Sequence, residues 1–295
     1  MAADFHGLAT RSIANRHLRL DFLADAGPRI VRLVPAGSDQ NLLAEVPDLH
    51  WSTPFGEYYP RGGHRLCHAP EAFPRSYVPD NEGLTVEAVA AGVRLTGPPE
   101  PPTGIRKSIE IGLLDDRPAV ILSHRLVNEG AWPVQLAPWA ITQMRLGGTA
   151  VVAQRAIGSP RDGLLPDRHL VLWPYARWRD ERLHVDEDYL QVRGEPRVPT
   201  LKLGLWSHAG AIGYLHAGGL FLKRFEPLPG LDYPDRGCNV EVYCNERFLE
   251  LETLGSLQRL EPGQSAMHIE TWELYLDPAL SRPERLPDVL HLLTG

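Results

Sequence analysis

The stretch RFLELETLGSLQRLEPGQSAMHIETWELYL, Arg247 to Leu276, decides the fold class. It reads as two strands joined by a turn at Pro262-Gly263. In an extended chain successive side chains point to opposite faces. Leu249, Leu251 and Thr253 then share one face, and Phe248, Glu250, Glu252 and Leu254 share the other. Two carboxylates sit two residues apart on a face otherwise apolar. A solvated outer face would also carry such a pair, but Phe248 and Leu254 are poor residues for a wet surface. Like charges this close raise each other's pKa, as acid–base sites require. Glu250 and Glu252 are therefore candidate functional residues.

The same period of two continues upstream. Extended runs are expected at His17 to Phe22, Arg29 to Pro35, Leu84 to Ala90, Val93 to Thr96, Ile105 to Leu113, Ala119 to Asn128 and Val134 to Leu146. Further runs follow at Ala150 to Gln154, His169 to Trp173, Lys202 to Trp206, Ala211 to His216, Leu220 to Phe225 and Asn239 to Tyr243. Pro or Gly stands at nearly every junction. Only Leu286 to Leu293, with Pro287 suited to a first helical turn, reads as a short closing helix. So many short strands predict an all-β chain, a large antiparallel β-sandwich or a barrel. No self-similarity of repeat length and no composition shift appears, so residues 1–295 read as one domain. Residues 40–81 lack periodicity but hold six aromatic residues, from Trp51 to Tyr77. They read as an ordered loop packed over something, since disordered segments are poor in aromatics.

Composition narrows the function classes. The 295 residues are 43% hydrophobic, enough for a large core, and the net charge of −7 argues against a nucleic-acid partner. The three cysteines, Cys67, Cys238 and Cys244, form no C-x-x-C pair, and an odd count argues against a disulfide framework. The N-terminal residues lack the apolar core of a signal peptide, and no run of eighteen apolar residues occurs. A cytoplasmic protein without membrane contact is the expectation. No phosphate-binding glycine loop, nucleophile elbow or dinucleotide fingerprint appears, so no cofactor is expected.

Several constellations carry possible chemistry. In GGHRLCHAPE (62–71), a loop would bring His64 and Arg65 to a cleft, the glycines allowing close backbone approach to a ligand. His64, His68 and Glu71 have metal-ligand character, but Gly-Gly before and Pro after argue against the helix that such spacing needs, so no metal is expected. Trp139 and Trp173 are candidates to stack on a sugar face or to fill the core. Lys202 and Lys223 interrupt apolar strands, either pointing inward to carboxylates or an anionic ligand, or lying on an exposed face. Residues 233–243 read as a turn feeding a strand, and a hairpin would place Asn239 or Glu241 near Glu250 and Glu252.

The order of motifs resembles the galactose mutarotase-like, or aldose 1-epimerase, superfamily. It is carried by an early GPRI hairpin, GGHRLCHAPE, PPTGIRKSIEI, HRLVNEGAWPVQLAPWAITQM, LLPDRHLVLWPY, LKLG, YPDRGCNVEVYCN and LELETLGSLQRLEPGQSAMHIETWEL, which span most of the chain. The resemblance implies a supersandwich. It also implies that Glu252, in Leu251-Glu252-Thr253, is a catalytic base. The family's mid-chain general-acid His has no counterpart: that region reads LAPWAIT, with Trp139 in its place, and His64 and His124 are the nearest substitutes.

The resulting expectation is aldose 1-epimerase-like acid–base chemistry on a small carbohydrate, with Glu252 as base and His64 as acid. Arg65, Lys202, Lys223, Trp139, Trp173, Glu250 and Asn239 would bind the substrate, whose acidic form the basic residues favour. The alternatives are a non-catalytic sugar-binding protein and a lyase acting on an acidic sugar.

Overall fold

The structure, a computed structural model, describes residues 4–154 and 166–295. The first two residues of the 164–175 motif lie outside that range. Two large antiparallel sheets face each other. One has twelve strands and runs through Leu18–Leu23, Arg29–Pro35, Arg61–Ala69, Val134–Arg145, Phe248–Leu254, Val240–Cys244 and Leu201–Leu205 in spatial order. The other has ten and runs through Thr149–Ala153, Ala211–His216, Gly219–Arg224, Ser265–Tyr275, Ala119–Asn128, Ile105–Leu114 and Gly92–Thr96. The expected antiparallel sandwich is present. Its core lies between the sheets, where Leu66, Leu203, Leu249 and Leu251 of the first meet Ile109, Leu122, Phe221 and Trp272 of the second. The closing helix, Leu286–Thr294, lays Val289 and Leu293 on the outer face of the ten-stranded sheet, against Val151, Ala211 and Leu220.

Two expectations change. The strands of the opening stretch do not pair with each other. Phe248–Leu254 lies in the twelve-stranded sheet and Ser265–Tyr275 in the ten-stranded one, so the chain crosses the sandwich between them. Alternation fixes each strand's two faces but carries no record of its neighbour. The second change concerns residues 61–69, which form not a loop but a nine-residue strand at the centre of the larger sheet. Every one of its residues is buried, so the polar–apolar alternation that marks a half-exposed strand is missing. Gly62 and Gly63 serve this strand rather than a ligand. Both have positive φ, and a Cβ would lie 2.0 Å from the carbonyl oxygens of Ala44 and Ile30 respectively. Only glycine lets the neighbouring backbones come this close.

Candidate functional site

The three central strands of the larger sheet build the site through their register. Ile141 pairs with both Arg65 and Glu252, and Gln143 pairs with Glu250. Glu241 stands directly opposite Glu252 on the next strand, and Lys202 opposite Tyr243 on the one beyond. Because directly opposed residues project to the same side, Arg65, Cys67, Trp139, Gln143, Glu250, Glu252, Glu241 and Lys202 all point away from the sandwich core. All but Glu252 and Glu241 line a cavity of about 240 Å³, and those two lie sealed beneath its floor. The walls come from residues 49–60 and 71–77. Trp51, Tyr58 and Tyr77 form a three-ring cluster with centroids 5.0 to 5.5 Å apart, and Tyr175 closes another side. The aromatic segment is thus ordered and covers the sheet, as its composition implies.

Two polar clusters lie at or beneath the floor. In the first, the indole Nε1 of Trp139 donates to Glu252 Oε2 over 2.6 Å, and the Lys202 ammonium lies 3.2 Å from the same oxygen. Lys202 is also 2.9 Å from Glu241, and its Nζ sits 4.7 Å from the ring centroids of both Trp139 and Trp173. Burial would pull this lysine's pKa down, but Glu252, Glu241 and Glu71 hold it well above the usual value. Burial pushes the Glu241 carboxyl well up, against the pull of Lys202 and with the push of Glu252. Glu252 is sealed, with no exposed surface, and its Oε1 has no hydrogen-bond partner. In the second cluster, Arg65 (3.2 Å) and Gln143 (2.9 Å) both donate to Glu250 Oε1. Glu250 reaches the cavity wall. Burial outweighs Arg65 here, and with Glu252 beside it the Glu250 carboxyl is pushed up to about 7.

The remaining sequence candidates go elsewhere. His64 precedes Arg65 and so points the opposite way, into the sandwich, with no exposed surface. Its Nδ1 lies 2.8 Å from Thr142 Oγ1 and its Nε2 2.8 Å from His124 Nε2. It cannot serve as an acid in the cavity. Lys223 is likewise sealed between the sheets, 2.9 Å from Glu270, and does not line this cavity. Asn239 is buried, where its side chain holds the backbone of Ser207. Trp173 meets the cavity only through Lys202. His64, His68 and Glu71 do not converge, since His68 pairs with Glu100 and Glu71 accepts from Tyr77.

Among the described residues, one group in the inner network has metal-ligand character. Ligand atoms of His64, His124 and Glu270 lie within 4.8 Å of one another. The side chains are already satisfied without an ion. Thr142 can donate to His64 Nδ1, His64 Nε2–H to His124 Nε2, and His124 Nδ1–H to the His268 carbonyl 3.0 Å away. Glu270 takes Lys223 and the indole of Trp272. Burial pushes Glu270 up, but Lys223, His124 and His64 outweigh it and hold the carboxyl below its ordinary range.

Sequence reading missed Gln143 as a partner of Glu250. The available signal was its position four residues after Trp139, on the same face of one strand.

No family model matches the sequence, and no curated protein does either. Solved structures do match. A putative aldose 1-epimerase from Klebsiella pneumoniae aligns over all of this chain and 86% of its own at 12% identity, with a TM-score of 0.61. A galactose mutarotase-like protein from Lactobacillus casei aligns over 90% of this chain and 100% of its own at 10% identity, TM-score 0.59. A TPR-domain-containing protein from Parabacteroides distasonis aligns over 91% of this chain at 14% identity, TM-score 0.62, and this chain spans 48% of that protein. The fold is that of the galactose mutarotase-like structures. No helix among the described residues is long and apolar enough to cross a membrane.

Proposed function

We propose that the protein performs aldose 1-epimerase-type acid–base chemistry on a neutral monosaccharide held in the cavity. The observation that carries this reading is the pair Glu250 and Glu252 on one strand face. Glu250 lines the aromatic-walled cavity and is held by Arg65, and Glu252 is sealed just beneath it and held by the Lys202 that Glu241 shares. A cavity of about 240 Å³ lies just under the ~300–1,000 Å³ of sites for drug-sized ligands, which fits a single sugar ring. Trp51, Tyr77 and Trp139 offer faces to its C–H groups. Anomer exchange needs a carboxylate to take the proton from the anomeric hydroxyl. Glu252 is the proposed base, and Lys202 and Trp139 orient it.

The sugar is proposed to be neutral because each cation of the cavity already faces a carboxylate. Arg65 faces Glu250, and Lys202 faces Glu241 and Glu252. An acidic sugar would bring a further carboxylate beside Glu250, which counts against lyase chemistry on a uronate. The Nε and Nη1 of Arg65 are left without a hydrogen bond among the described residues.

One observation favours the second reading, a sugar-binding protein without turnover: Glu252 is fully enclosed. Polarimetry on freshly dissolved aldohexoses separates the two. The epimerase reading expects acceleration over the spontaneous rate by the wild type and its loss in Glu252→Gln. Saturable binding with no acceleration supports the second reading.

A further inference from the structure

The reading above leaves the proton for the ring oxygen without a donor, since the cavity wall contains no histidine. The other titratable wall groups are poorly suited: Glu71 is exposed at the rim and accepts from the Tyr77 hydroxyl, and Cys67 offers only a weakly donating thiol. Lys202 is locked among carboxylates and two indoles, and it holds its proton well above the usual lysine value. Burial pushes the phenols of Tyr58, Tyr77, Tyr175 and Tyr243 up. Arg65 does not release a proton in a protein.

Glu250 has the required geometry. Arg65 and Gln143 both address Oε1, which fixes the carboxyl plane. Oε2 carries no hydrogen bond among the described residues, and the side chain reaches the cavity. Along the strand it stands two residues, about 6.6 Å, from Glu252, and of the two it is Glu250 that lines the cavity. We propose, resting on the epimerase reading, that Glu250 is the general acid that replaces the histidine this chain lacks. Glu252 takes the proton of the anomeric hydroxyl as the C1–O1 double bond forms. The ring C1–O5 bond breaks, its electron pair goes to O5, and O5 receives the proton of Glu250 Oε2. After rotation about C1–C2, O5 returns its proton to Glu250 as it attacks the other face of C1, and Glu252 reprotonates O1.

The environment agrees with this role. Burial and Glu252 push the carboxyl up, while Arg65, Lys202 and Gln143 pull it down, and the balance is about 7. Tyr243, its cross-strand partner, is the remaining titratable neighbour. Two carboxyls in environments this different divide the roles of acid and base.

The test uses the full-length protein, α-D-glucose and α-D-galactose, with polarimetry from pH 5 to 9. Wild-type kcat is expected to fall about tenfold per pH unit above about 7. Glu250→Gln should lower kcat by about 10²–10⁴-fold, leave KM within a few-fold, and abolish the alkaline fall. Glu250→Asp should recover part of the rate with its own pH limb. An active wild type whose Glu250→Gln variant keeps its kcat, or keeps the alkaline fall, overturns this proposal alone. A wild type that leaves the spontaneous rate unchanged for both sugars removes the epimerase reading and this proposal together. If Glu250→Gln does not fold, the wild-type profile decides: activity level through pH 8 overturns the assignment.

Discussion

Replacing Glu250 by Gln should change how stability depends on pH, whatever the protein catalyses. In the folded protein burial holds this carboxyl at about 7 against an ordinary value of 4.5. Below 4.5 it is protonated in both folded and unfolded chains, and its contribution is fully present. Between 4.5 and about 7 the unfolded chain has released the proton and the folded chain has not. The folded state therefore binds more protons, and stability falls as pH rises through this window. At about 1.4 kcal/mol per pH unit the whole window is worth about 3 kcal/mol. Glutamine keeps the shape and cannot titrate. Urea unfolding followed by tryptophan fluorescence, at intervals from pH 5 to 8.5, reads the effect directly. The stability of wild type minus variant should fall by about 2 to 3 kcal/mol across that range. Parallel pH dependences would show that Glu250 is ionised throughout, and the account of the buried carboxyl would be wrong.

The inner network makes two further predictions. Burial pulls His268 from 6.5 down to about 3, so the unfolded chain takes up a proton that the folded chain refuses. Stability should therefore drop as pH falls from 6.5, by about 1.4 kcal/mol per unit for this group. His268→Gln should flatten that acid limb in thermal melts, and an unchanged limb would refute the assignment. Lys223→Met strands Glu270 between the sheets and should cost about 3–5 kcal/mol in urea unfolding. Adding Glu270→Gln should recover a large part, because the amide still accepts from Trp272. A single variant with the wild-type midpoint would mean the ion pair is neutral to stability.

Legibility differed between elements for local reasons. Ile105–Leu114, Ala119–Asn128 and the closing helix match their expected bounds within a residue, because each has one wet face and one dry one. Arg61–Ala69 resembles a loop in sequence because it is dry on both faces and carries Gly62-Gly63 near its start. That misreading carried His64 into the cavity, whereas strand parity sends it to the core beside His124. Lys223 failed for a related reason. An inward lysine was expected, and one is observed, but inward from the ten-stranded sheet means the core rather than the cavity.

The amino-acid order alone determined that the chain is built of strands, as a sandwich or a barrel, and that Glu250 and Glu252 share a face. Both follow from the two-residue period, which any segment carries within itself. Which face became a cavity, and which cation each carboxylate met, was decided only when distant strands set their register and the aromatic segment folded over them. Those contacts join residues up to 185 positions apart, as Arg65 and Glu250 are, and no local pattern encodes a partner at that distance.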